Sequence, residues 1–143
     1  MDKNKLIEEA MIARKKSYSP YSNMAVGAAV FTETGKIYRG CNIENKITAA
    51  RVCAERTAIF SAFVNDEKIK AISIIGDTEG PIEPCDFCKF VLLEMCNKDT
   101  VVIMSNLKGD VAETVVGDLK PAESSKKMLS ILVNELRKNS IKR

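Results

Sequence analysis

Cys53-Ala54-Glu55, followed downstream by Pro84-Cys85-Asp86-Phe87-Cys88, sets three thiols and one carboxyl at the spacing of a catalytic zinc site. Three thiolates fill three corners of a tetrahedron and leave the fourth corner for water, whereas a structural site closes that corner with a protein ligand. Glu55 stands two residues after the first cysteine and is not needed as a ligand. It is therefore free to move protons to and from a water activated by the metal.

Zinc with three thiolates carries a formal charge of minus one, which weakens it as a Lewis acid. Helix N-termini offset part of that charge, because their exposed N–H groups and dipoles favour thiolate. The pattern puts both cysteine clusters at helix starts. Arg56, directly after Glu55, is a candidate to hydrogen-bond a ligand sulfur from outside the metal's own ligand set. Spacing alone leaves open the alternative that it is an ordinary surface arginine.

Other readings of the cysteines exist. A closed four-cysteine site would recruit Cys41 or Cys96, but Cys41 has no nearby partner and Cys96 falls late in a helix, in a core position. A redox pair at Cys85 and Cys88 would need neither Cys53 nor Glu55. A non-catalytic zinc-stabilised module that assembles with partners would have little use for Glu55. The catalytic zinc reading accounts for all four residues.

Composition narrows the chemistry further. The chain has 143 residues, the size of a single domain (1–143), with 45% apolar and 29% charged residues. It contains no histidine. That excludes Ser-His and Cys-His nucleophile pairs and imidazole zinc sites, so the acid/base group has to be a carboxyl or something rarer. The net charge of +3 is small and its basic residues form no stripe, which argues against a nucleic-acid partner. The charged start and the lack of a long apolar run predict neither signal peptide nor membrane span. Five cysteines with a Cys-x-x-Cys pair fit a reducing cytoplasm.

The elements that must position these residues follow from periodicity. Residues 3–16 place Leu6, Ile7, Ala10, Met11 and Ala13 on one helical face. Residues 17–23, with Pro20, form a loop. Residues 26–32 and 36–43 read as a hairpin around Glu33-Thr34-Gly35. Helices are predicted over 49–64 and 85–96, and strands over 70–77, 100–104 and 111–116. A tail from 124 to 143 carries Met128, Leu129, Leu132, Val133 and Leu136 at helical spacing. The order α-β-β-α-β-α-β-β-α predicts an α/β fold with helices on both faces of a mixed five-stranded sheet, a three-layer α/β/α arrangement.

The chain resembles the small homotetrameric, zinc-dependent cytidine deaminases. The resemblance is carried by Tyr18-Ser19-Pro20-Tyr21-Ser22-Asn23, Val26-Gly27-Ala28-Ala29, Gly40-Cys41-Asn42-Ile43-Glu44-Asn45, Cys53-Ala54-Glu55-Arg56-Thr57-Ala58, Asp77-Thr78-Glu79-Gly80-Pro81 and Pro84-Cys85-x-x-Cys88. These segments keep the family's order, and the resemblance as a whole covers roughly residues 3–122. The resemblance implies a cytidine-deaminase-like fold and one Zn²⁺ per subunit on Cys53, Cys85 and Cys88. It implies hydrolytic deamination of cytidine and 2′-deoxycytidine to the uridines plus ammonia, as in pyrimidine salvage. Glu55 would pass a proton from the activated water to ring N3 and then help the 4-amino group leave. Asn42 and Glu44 would hold the ribose 3′-hydroxyl, and backbone at Ala54 would meet the polar edge of the base. A homotetramer with shared active sites is implied as well.

The chain also departs from the family's pattern. Met24 stands where the family has a phenylalanine that stacks on the base, and would cover a ring face without stacking. Ile47-Thr48-Ala49 replaces Ser-Tyr-Gly, Lys89-Phe90 replaces Arg-Gln, and Glu123 stands near the place of a lost C-terminal aromatic. These changes raise an alternative substrate: a modified aminopyrimidine nucleoside such as blasticidin S or an N4- or C5-substituted cytidine. Retention of Asn42 and Glu44 favours an ordinary ribose.

Overall fold

Alternation along the central strands explains the architecture of the computed structural model, which describes residues 1–141. In β1 (Val26–Thr32), Ala28 and Val30 point to one face and Ala29 and Phe31 to the other. β3 (Ile69–Gly76) divides Ile72 and Ile74 from Ala71 and Ile75 in the same way. In β4 (Val101–Asn106), Val102 and Met104 oppose Val101 and Ile103. Both faces are apolar, so both must be covered, as continuous β-branched runs require.

One face packs against α1 (Lys3–Arg14) through Leu6 and Ala10. Asp2 caps that helix, accepting a hydrogen bond from the Lys5 N–H at 3.1 Å. The other face packs against α2 (Ala54–Val64) and α3 (Asp86–Met95) through Ala54, Ala58, Ile59, Ala62 and Leu92. The result is the expected mixed five-stranded sheet with helices on both faces.

The strand order is β2-β1-β3-β4-β5, with β2 spanning Ile37–Cys41 and β5 spanning Val111–Val115. β1 runs antiparallel to β2 and β3, β3 and β4 are parallel, and β5 runs antiparallel to β4. The parallel pair needs a crossover, which α3 supplies. Val26 pairs with Gly76 and Gly76 with Asn106, so β1 begins where β3 and β4 finish. That end of the sheet is where open α/β folds hold ligands.

The region around 49–64 differs from expectation. Thr48–Ala50 is a single 3-10 turn, residues 51–53 are extended, and α2 starts only at Ala54. The stretch Ala49-Ala50-Arg51 has good helix propensity, yet Ile43 and Val52 exchange two backbone hydrogen bonds of 3.0 Å. Tertiary pairing overrides local preference here. It also ends β2 at Cys41, short of the expected 43, and leaves Ile43 bridged to Tyr18 and Val52.

The tail is helical as α4 (Glu123–Ile141), and residues 142–143 lie outside the described residues. Its start is fastened to α3, because Ala122 N–H and Ser125 Oγ both donate to Asp86 Oδ2.

Gly40 shows how closely α2 is seated. A Cβ there would lie 2.4 Å from Ala58 N and 2.5 Å from the Ala54 carbonyl oxygen, both of them helix backbone that cannot rotate away. Gly40→Ala is therefore expected to lower unfolding free energy by about 3 kcal/mol, measured by urea denaturation. Because the clash pushes on the first turn of α2, activity should fall with it. An unchanged midpoint would contradict this packing.

Candidate metal centre and active site

The residue before each helix positions a sulfur. Cys53 precedes α2 and Cys85 precedes α3, both in extended conformation, while Cys88 lies in the first turn of α3. The three Sγ atoms lie within 4.8 Å of one another, and Cys53 Sγ is 3.7 Å from Cys85 Sγ. This is no disulfide, whose sulfurs stand about 2.05 Å apart. Sulfurs on a zinc tetrahedron with bonds of about 2.3 Å stand roughly 3.8 Å apart, so the cradle fits that ion. Among the described residues no fourth His, Cys, Asp or Glu joins the group. Cys41 stays in β2 and Cys96 at the end of α3, where burial pushes its thiol up to about 11.

The clustering of three sulfurs suits a cation. Hydrogen bonds with Cys53 and Cys88 pull the Cys85 thiol down to about 2, while the hydrogen bond with Cys85 pushes the Cys53 thiol up and those with Cys53 and Cys85 push the Cys88 thiol up. Three thiolates so close together need a divalent ion between them. Arg56 helps as the sequence pattern allowed, with Nη2 donating to Cys53 Sγ at 3.1 Å.

Glu55 is 4% exposed, in the first turn of α2. Burial pushes its carboxyl above the usual range, and it interacts with the Cys88 thiol. A buried carboxyl raised in this way holds a proton more readily than an exposed one, which suits a group that must both accept and deliver protons. Its own backbone and that of Ala54 belong to the same first turn.

A cavity of about 290 Å³ opens over these groups. It is lined by Cys53, Ala54, Glu55, Arg56 and Cys85, and also by Asn42 and Glu44. Asn42 organises the neighbouring loop. Its Oδ1 accepts from the Val26 N–H at 2.9 Å and from Ser17 Oγ, and its Nδ2 donates to the Met24 carbonyl at 2.7 Å. Glu44 is 9% exposed, and its Oε1 accepts the N–H groups of Tyr21 and Ser22 at 2.9 and 3.0 Å. Hydrogen bonds from Ser22, then Tyr21, with the charge of Arg51, hold that carboxyl below its usual range.

Met24 is placed differently from the other expected residues. Its side chain is 44% exposed and does not line the cavity of this chain, whereas its carbonyl serves Asn42. Val26, part of a segment that carries the resemblance but given no role there, completes the lining with Arg51, Val52, Ile82 and Glu83, which stand outside those segments. Adjacency to Cys53 and to Pro84-Cys85 was the signal that could have found Arg51, Val52 and Glu83. Among the described residues no helix is long and apolar enough to cross a membrane.

Comparison with known proteins agrees with this geometry. Residues 1–104 match the family described as the cytidine and deoxycytidylate deaminase zinc-binding region. The chain is 49% identical over 132 residues to a cytidine deaminase of Sporosarcina psychrophila, covering 91% of this chain and 96% of that one. It is 43% identical over 122 residues to a cytidine deaminase of Halalkalibacterium halodurans, covering 85% and 92%. The crystal structure of a cytidine deaminase from Burkholderia pseudomallei superposes with a TM-score of 0.82 at 45% identity, over 85% of this chain and 98% of that one. The matched region contains Cys53, Cys85 and Cys88, and on that ground the chain belongs to the cytidine and deoxycytidylate deaminase zinc-binding family.

Proposed function

We propose that this protein hydrolytically deaminates cytidine and 2′-deoxycytidine, giving the uridines and ammonia. The observation that carries the reading is the meeting of a three-sulfur cradle and a buried carboxyl in a cavity also lined by Asn42 and Glu44. When bound by Cys53, Cys85 and Cys88, a zinc ion supplies Lewis acidity that makes water nucleophilic near neutral pH.

The chain's own residues do the rest. Glu55 accepts a proton from the attacking water and delivers it to N3 of the base. It then takes the second proton, from the hydroxyl newly formed at C4, and passes it to the 4-amino nitrogen, so that the C4–N bond breaks and ammonia leaves. Arg56, by donating to Cys53 Sγ, draws charge from the ligand set. Asn42 and Glu44 bind the ribose 3′-hydroxyl, with the Glu44 carboxylate held as an acceptor by Tyr21 and Ser22. Backbone at Ala54 meets the polar edge of the ring, and Met24 reaches the base only if the 17–25 loop or a neighbouring chain brings it there.

The test is direct. Purified protein incubated with cytidine should bleach the cytidine absorbance and release ammonia in equal amounts. Consumption of blasticidin S or a substituted cytidine with no uridine formed would overturn this reading in favour of a modified nucleoside.

The working form is a homotetramer with shared sites in a single-domain chain, acting in the cytoplasm where its thiols stay reduced. Large apolar side chains stay exposed on α2 (Phe60, Phe63) and on α4 (Met128, Leu132), which supports self-association. Light scattering should give four times the 15.8 kDa chain mass, and a monomer would contradict shared sites.

A further inference from the structure

Arg51 and Arg56 are the cations among the described residues that line the cavity. Arg56 is engaged with the Cys53 sulfur, and Arg51 does something else. Its Nε donates to the Asn45 carbonyl at 2.9 Å, and its guanidinium carbon sits 4.9 Å from the centroid of the Tyr21 ring. Tyr21 in turn donates its backbone N–H to Glu44 Oε1, beside the donation from Ser22. The contacts close a circuit from Asn45 through Arg51 and Tyr21 to Glu44, the neighbour of Asn45. Each half of the circuit constrains the other. The Asn45 bond fixes the plane of the guanidinium, and the guanidinium fixes the ring by a cation–π contact. The ring's own backbone then fixes one oxygen of a carboxylate that lines the cavity.

We propose that Arg51 is a positioning residue that sets specificity for the sugar, by pinning the Tyr21 turn onto Glu44 and so fixing the carboxylate that takes the 3′-hydroxyl. The inference rests on the proposed nucleoside deaminase function and deepens it. Arg51 touches no reacting atom, so its effect must appear in substrate binding and only where there is a hydroxyl for Glu44 to take. A surface arginine that merely staples the 45–52 loop would affect all substrates alike.

The experiment compares cytidine with 3′-deoxycytidine, as substrate or competitive inhibitor, on the zinc-loaded protein. Arg51→Ala should raise KM for cytidine about tenfold while kcat stays within roughly threefold, the split expected when binding but not chemistry is disturbed. The constant for 3′-deoxycytidine should move by less than about twofold, because the wild-type carboxylate already lacks its partner there. Arg51→Lys keeps the charge over the ring but loses the planar Nε bond, and should fall between the two. Should Arg51→Ala fail to fold, Tyr21→Leu breaks the same circuit from the ring side and should give the same substrate-selective loss. Equal losses for both nucleosides, no loss for either, or a fall in kcat at constant KM would overturn the inference. Wild-type protein releasing no ammonia from cytidine would instead overturn the function on which it rests.

Discussion

Glu55→Gln is expected to lower kcat for cytidine by about 10⁴-fold, the upper end of what one general acid/base supplies, because the same carboxyl serves successive proton transfers. The amide keeps the shape of the side chain but can neither accept nor deliver a proton. KM should change little, since Asn42 and Glu44 keep their partners. Zinc content should stay at one per chain, because Glu55 is outside the sulfur trio. Thermal stability should hold or rise, because burial already disfavours the charged form of this group. The sign follows from the raised pKa: a neutral amide avoids the cost of an ionised carboxylate in an apolar place. Single-turnover kinetics with metal analysis of the same sample check all of this. A loss of activity under tenfold would show that protons travel another way. A parallel loss of zinc would show that Glu55 is a ligand.

Cys88→Ser should abolish activity by removing the metal. Cys88 is fully buried in the first turn of α3, and its sulfur completes the trio. Two remaining thiols cannot match the affinity of three, so zinc should fall to a small fraction of one per chain after dialysis. The melting temperature should drop on the order of 10 °C, since an ion that binds only the folded state stabilises it by several kcal/mol at saturation. The circular dichroism spectrum should keep its helix and sheet signals, because the sheet and its two apolar faces do not depend on the ion. Cys96→Ala serves as the comparison and should retain zinc, its sulfur lying outside the cluster. A Cys88→Ser protein that still holds a full equivalent would refute the ligand assignment.

The parts of the site that were legible in the sequence are those encoded locally. Cys53, Glu55 and Arg56 lie within one turn at a helix start, and Cys85 and Cys88 lie within another. Short spacing and helix geometry fix their relative directions, so the motif predicts the cluster. Asn42 and Glu44 were singled out by family resemblance, and the structure explains their place through long-range bonds to the 17–26 loop. Arg51 and Glu83 were signalled only by standing beside Cys53 and Pro84-Cys85, and Ile82 was not legible, because its place in the cavity wall depends on segments distant in sequence meeting. Ile82 enters the wall through a backbone bond to Ser105 in β4, a partner that no local pattern announces. The fold was legible in β1, β3 and β4, whose apolar runs demand cover on both faces. The start of α2 was misplaced because Ala49 and Ala50 favour helix until Val52 is captured by Ile43.

Zinc-edge X-ray absorption on freshly purified protein tests the central claim most directly. The account predicts one zinc per chain with three sulfur neighbours and a single lighter, non-sulfur neighbour, which is the open position that substrate chemistry requires. Four sulfur neighbours, or protein free of zinc with the thiols of Cys53 and Cys85 oxidised to each other, would contradict it.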